Sequence, residues 1–150
     1  MACKVPTSCN QVESAVLAAP VGKVWEVIKH IKLENFAGNF VKKTSFISGI
    51  DMQVGSVVKI EYVDGATWEL RITEISERTT TVGYEVTSTE PPLDCTSVEG
   101  EIQVLPVTAS DQTFIKWTTV YSNDVSLERV QDQKFKKLEF FKAAQNAVEQ

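Results

Sequence analysis

The last segment of the chain constrains its fold more than any other. From about Asn123 to Val148, Leu127, Val130, Phe135, Leu138, Phe141, Ala144 and Val148 recur at three- and four-residue steps, the spacing of one helical face. Glu128, Arg129, Asp132, Lys136, Lys137 and Glu139 fall opposite and read as a wet face. Asn123 or Asp124 suits an N-cap, and Glu128 in the first turn complements the helix dipole. So long an apolar stripe needs a partner surface along its whole length. Everything before it must supply that surface.

What comes before is mostly strand. Gln11 to Leu17 alternates, with Val12, Ser14 and Val16 set against Gln11, Glu13 and Ala15, after a lead-in over residues 1–10 that reads as flexible. Ala19-Pro20 then opens a helix whose apolar face is Val21, Val24, Trp25, Ile28 and Ile31. A second short helix over Leu33 to Phe36 stops at Gly38. From Val41 the period changes to two, predicting strands near 41–48, 56–62, 67–76, 79–88, 97–105 and 113–121. Gly49, Gly55, Asp64-Gly65 and Glu77-Arg78 supply turns, and Glu90-Pro91-Pro92-Leu93-Asp94 is a loop.

Alternation assigns the faces. Ile60 and Tyr62, then Trp68, Leu70 and Ile72, then Val82, Tyr84 and Val86, lie on one side. Val98, Ile102, Val104, Ile115, Trp117, Thr119 and Tyr121 continue it. Glu61, Glu69, Glu85, Glu99 and Glu101 point the other way. This is a one-sided antiparallel sheet with an aromatic inner face, and the last helix is the obvious cover.

At 150 residues the chain is expected to be one domain, 11–150. Its net charge of −5 lacks the basic footprint that nucleic acid or an anionic membrane surface demands. The Lys134, Lys136, Lys137 group reads as solvated cover for the helix. Three cysteines, Cys3, Cys9 and Cys95, form neither a disulfide framework nor a zinc spacing, so no metal or cofactor is expected. The single histidine, His30, falls at a helix end and reads as a cap or surface residue. With no signal-peptide core in the first ten residues and no membrane-span run, the expected location is cytoplasmic.

The order strand, two helices, six strands, long helix resembles the α+β helix-grip fold of the START-like superfamily. Val54-Gly55-Ser56-Val57-Val58 is similar to the glycine-led third strand of its polyketide cyclase/dehydrase and abscisic-acid-receptor branches. Leu70-Arg71-Ile72-Thr73-Glu74-Ile75 followed by Tyr84-Glu85-Val86 resembles their paired fourth and fifth strands. Ile115-Lys116-Trp117-Thr118 resembles the tryptophan-bearing last strand of the cyclase branch. Some features depart from the pattern. Ile50 to Val54 lacks the glycines of the pollen-allergen loop, and Tyr62 to Ala66 is too tight for a receptor gate loop. Leu70 stands where the receptors place a pocket carboxylate, while Phe40-Val41-Lys42 resembles the segment holding their pocket lysine. Alternation leaves open whether Lys42 or Lys43 points inward.

The resemblance implies a seven-stranded sheet curled round the last helix, with a cavity between them for a hydrophobic or amphipathic small molecule. The expected lining is Ile60, Tyr62, Trp68, Leu70, Tyr84, Ile102, Trp117, Thr119 and Tyr121 from the sheet, Leu138 and Phe141 from the helix, and Lys42. Entry is expected near the 63–66 and 89–96 loops and the first turns of the last helix. Binding or transport of a hydrophobic molecule or lipid, by a monomer or weak dimer, is the first functional expectation. The alternative is a polyketide-cyclase/dehydratase-like enzyme, for which Tyr84, Tyr121, Thr119 and Lys42 are the candidate acid–base groups. With no inward histidine or carboxylate, the residues argue against catalysis. A protein-interaction module, resting on Phe114 and the Pro91-Pro92-Leu93 loop, ranks third.

Overall fold

The computed structural model describes residues 8–148. Its elements are β1 (Ser8–Leu17), α1 (Val21–Lys29), α2 (Glu34–Ala37), β2 (Val41–Ser48) and β3 (Val57–Tyr62), then β4 (Thr67–Ser76), β5 (Thr81–Glu90), β6 (Val98–Val107), β7 (Gln112–Ser122) and α3 (Leu127–Val148). Seven strands form one antiparallel sheet in the order β1-β7-β6-β5-β4-β3-β2. The predicted strand positions hold to within about two residues, because period-two alternation and turn chemistry coincide at nearly every boundary. β1 begins at Ser8, so the expected lead-in overruns the strand by three residues. The remainder of that lead-in lies outside the described residues.

Register carries the inner face across the sheet. Tyr84 is opposite Gly100, Gly100 opposite Thr119, and Thr119 opposite Gln11. One step along, Ile102 pairs with Trp117 and Trp117 with Glu13. β1 therefore turns Gln11, Glu13, Ala15 and Leu17 inward and leaves Val12 and Val16 exposed. β-Bulges interrupt β2 between Val41 and Lys43 and β4 between Ile72 and Glu74, where each bends its strand. α1 lies on the inner face of β5–β7, while α3 packs along β1 and α2. Among the described residues, no helix is long and apolar enough to cross a membrane.

α3 corrects the sequence reading. Ser126, not Asn123 or Asp124, caps it, with Oγ accepting the Arg129 N–H at 3.1 Å. Leu127, Phe135 and Leu138 are 72%, 65% and 43% exposed. The inward face is instead Val130, Gln133, Lys137, Phe140, Phe141, Ala144 and Val148. Val130, Phe141, Ala144 and Val148 belong to both stripes, so the expected face holds near the two ends and is displaced in the middle, where Phe135 and Leu138 turn out and Gln133, Lys137 and Phe140 turn in. Lys137, assigned to the wet face, is 4% exposed.

Asp124 has a different task. Its carboxylate accepts from Thr96 N and Oγ1 and from Ser122 Oγ, which tie the loop before β6 to the end of β7. Those bonds hold its pKa down at about 2. A second clasp joins the same loop to α3, with Ser126 Oγ and Arg129 Nε both donating to Asp94.

Candidate functional site

An internal hollow of about 60 Å³ lies between the sheet, the end of α1 and the first half of α3. Its sheet wall is Ile60, Tyr62, Trp68, Leu70, Ile72, Val82, Tyr84, Ile102 and Trp117. Ile28, Ile31 and Leu33 close the α1 end, Phe40 stands beside Tyr62, and α3 contributes Gln133, Lys136, Lys137 and Phe140.

Ile31 reaches the hollow at a conformational cost. α1 ends in a Schellman motif, with Lys32 N–H donating to Val27 O and Ile31 N–H to Ile28 O. The motif wants glycine at its left-handed position, but here that position is Ile31, at φ 55°. A β-branched side chain there is strained by about 1–2 kcal/mol, offset by burying the isoleucine against the core.

Three rings stand in a row along one rim. Phe40 meets Tyr62 edge-on at 5.4 Å between centroids, and Tyr62 meets Trp68 at 6.5 Å. The other side is the Trp117 group, whose ring packs edge-on against Phe140 at 5.5 Å. The Trp117 indole N–H donates to the Tyr84 hydroxyl at 2.7 Å. Gly100 makes that bond possible. A Cβ there would sit 2.6 Å from the Tyr84 hydroxyl oxygen, so only glycine lets the ring lie across β6. Burial pushes the Tyr84 pKa up to about 12, against the lowering effects of Trp117 and Thr119. At neutral pH Tyr84 is a hydroxyl donor and not a base. Tyr62, by burial, is shifted upward too.

Lys137 is the one buried ammonium of the wall. Its Nζ sits 5.4 Å from the centre of the Trp117 ring, a cation–π contact, and donates to Gln11 Oε1 at 3.4 Å. The same Gln11 oxygen accepts from the Tyr121 hydroxyl at 2.7 Å, while Gln11 Nε2 donates to Val130 O at 3.0 Å. Gln11 thus joins β1, β7 and α3. Desolvation lowers the Lys137 pKa to about 8, partly opposed by the charge of Glu13.

The structure distributes the expected lining residues unevenly. Ile60, Tyr62, Trp68, Leu70, Tyr84, Ile102 and Trp117 stand together around the hollow. Thr119 and Tyr121 are buried further along β7, outside the lining, and Thr119 Oγ1 has no well-formed hydrogen bond among the described residues. Phe141 is core, packed on Phe140 at 6.1 Å. Leu138 points away from the hollow. Lys42 and Lys43 are both exposed, because the bulge after Val41 turns both outward before Thr44 returns to the interior. The loop at 89–96 borders a separate depression with Val86, Pro92, Leu93 and Cys95. His30 caps α1 and meets Asp51 at 2.6 Å, away from the hollow.

Sequence reasoning missed Phe40, Gln133, Lys136, Lys137 and Phe140 of the lining and Gln11 behind it, and it did not assign Ile28, Ile31, Leu33, Ile72 or Val82 to the hollow. One signal was available for the helix: Gln133, Lys137, Phe140 and Ala144 are also at three- and four-residue steps, but two of them are polar.

No family model matches the chain, and no curated protein does. Solved structures do. A structural-genomics target protein from Nitrosospira multiformis superposes with a TM-score of 0.81 at 21% identity, covering 92% of this chain and 94% of that one. Two crystal structures of ginseng major latex-like protein 151, from Panax ginseng, give 0.75 at 14% and 17% identity, over 96% of this chain and 97% of theirs. This chain has the helix-grip fold. At such identities the likeness is one of fold, and a fold by itself hosts many functions.

Proposed function

We propose that the protein binds a hydrophobic or amphipathic small molecule in the hollow between its sheet and α3. The observation that carries this reading is the composition of the walls, which are apolar and aromatic except for a few polar groups on the α3 side. That is the make-up of a small-molecule site, where apolar area holds the ligand and sparse polar groups orient it. The resemblance to the START-like superfamily, and within it to the polyketide cyclase and abscisic-acid-receptor branches, points the same way.

At about 60 Å³ the hollow is smaller than the roughly 300–1,000 Å³ of a drug-sized site. Binding therefore requires side chains to move. The half-buried row Phe40, Tyr62 and Trp68 is the rim that opens, next to the tight 63–66 hairpin. Native mass spectrometry of freshly purified protein, with titration of anilinonaphthalene sulfonate, tests the proposal. A discrete co-purifying apolar molecule, or a saturable probe site, supports it. A clean mass together with no probe binding contradicts it.

The cyclase-like alternative draws on one observation, the titratable Lys137 amine in the wall. It would be favoured by turnover of a bound ligand that Lys137→Met abolishes.

A further inference from the structure

Resting on the binding reading, we infer that Lys137 Nζ anchors the acidic head of the ligand, so that the hollow selects apolar carboxylic acids over neutral molecules of the same shape. Four observations converge on this amine. It is buried, yet it makes no ion pair among the described residues, and its only hydrogen bond, to Gln11, is long at 3.4 Å. An ammonium has three donors, so at least two remain for an incoming acceptor. Among the described residues no carboxylate lines the hollow, whose other polar side chains are hydroxyls, indoles, Gln133 and Lys136. Lys136 is engaged with Asp132 at 3.2 Å, which leaves Lys137 as the unmatched charge.

A buried charge without a counter-ion is costly, and the cost is relieved when an opposite charge enters the same low-dielectric space. A carboxylate matches one ammonium with one negative charge and aligns two oxygens with the free N–H groups. A phosphate dianion would leave a second charge unbalanced in an apolar hollow. The titratable and charged groups around the amine are Glu13 from β1, Tyr121 from β7 through the shared Gln11 oxygen, Tyr84 from β5 through Trp117, and Lys136 in the same wall on α3. Glu13 is the only carboxylate among them, and it acts without forming an ion pair. The lowered pKa of Lys137 is what an unmatched buried amine shows, and a bound carboxylate should raise it.

Calorimetric titrations of the full chain and of Lys137→Met with octanoate and octanol at neutral pH test the assignment. Octanoate should bind the unaltered protein at least about tenfold more tightly than octanol. In Lys137→Met that preference should vanish through weaker octanoate binding. Equal binding of the two by the unaltered protein, or a preference that survives Lys137→Met, would overturn the anchor and leave the binding reading standing. Failure of both molecules to bind would overturn both. Should the variant not fold, NMR titration of the Lys137 amine in the unaltered protein decides. Its pKa must rise with octanoate and not with octanol, and an unmoved value in the octanoate complex overturns the anchor.

Discussion

Lys137 costs the folded state stability, and pH exposes that cost. Its pKa of about 8, against an ordinary 10.5, corresponds to about 3 kcal/mol. The sign follows from proton binding. Between pH 8 and 10.5 the unfolded chain holds this proton and the folded chain does not, so stability rises with pH over that window. Lys137→Met should therefore stabilise the ligand-free protein by about 1–3 kcal/mol at neutral pH. The gain should shrink as pH passes 8 and vanish above 10.5, as urea unfolding at several pH values would measure. Gly100→Ala should act in the opposite direction. Its new methyl displaces the Tyr84 hydroxyl and breaks the bond from Trp117, a loss of about 1–3 kcal/mol read by the same unfolding experiment. Neither residue stood out in the sequence. A lysine among lysines on a helix reads as wet, and no alternation rule announces that a glycine in a strand supports a tyrosine on its neighbour.

The strands were legible, and the middle of α3 was not. Strand faces follow a strict period of two, and the glutamates that oppose Tyr84, Trp68 and Ile102 mark the wet side. Where the period breaks, as at the bulge after Val41, the side chain's direction cannot be read, and Lys42 is the example. α3 has no clean amphipathic stripe because its middle turns Gln133 and Lys137 inward and Phe135 and Leu138 outward. A helix that puts polar residues inside there gives a hydropathy pattern the wrong phase. Its start depends on Ser126, which both caps the helix and donates to Asp94 at 2.6 Å. Ser126→Ala should lower stability by about 1 kcal/mol in chemical unfolding. The neighbouring clasp is acid-sensitive. Asp124 is held at about 2 in the folded state against an ordinary 3.8, so its contribution is complete above 3.8 and lost as pH falls towards 2. Asp124→Asn should flatten the acid limb of the unfolding profile across that window.

At the scale of the whole molecule, the fold reads from order alone: strand, two helices, six strands, long helix. Seven of the twelve expected lining residues gather around the hollow because all seven lie on the inner face of β3–β7. The rest of the lining depends on how far α1 and α3 sit from the sheet, which is a matter of packing and not of periodicity. Gln11 ties α3 to β1 at the Lys137 end of the hollow, and Ile31, in its strained turn, lines the α1 end. The central claim is that this space, and not an exposed apolar patch, receives a ligand. Methyl NMR during titration with anilinonaphthalene sulfonate tests it most directly. We expect saturable shifts at Ile60, Leu70, Ile72 and Ile102 around the hollow, with Val12, Val16 and Leu105 on the outer face unmoved. Shifts confined to those outer residues, or none at any methyl, would contradict the account.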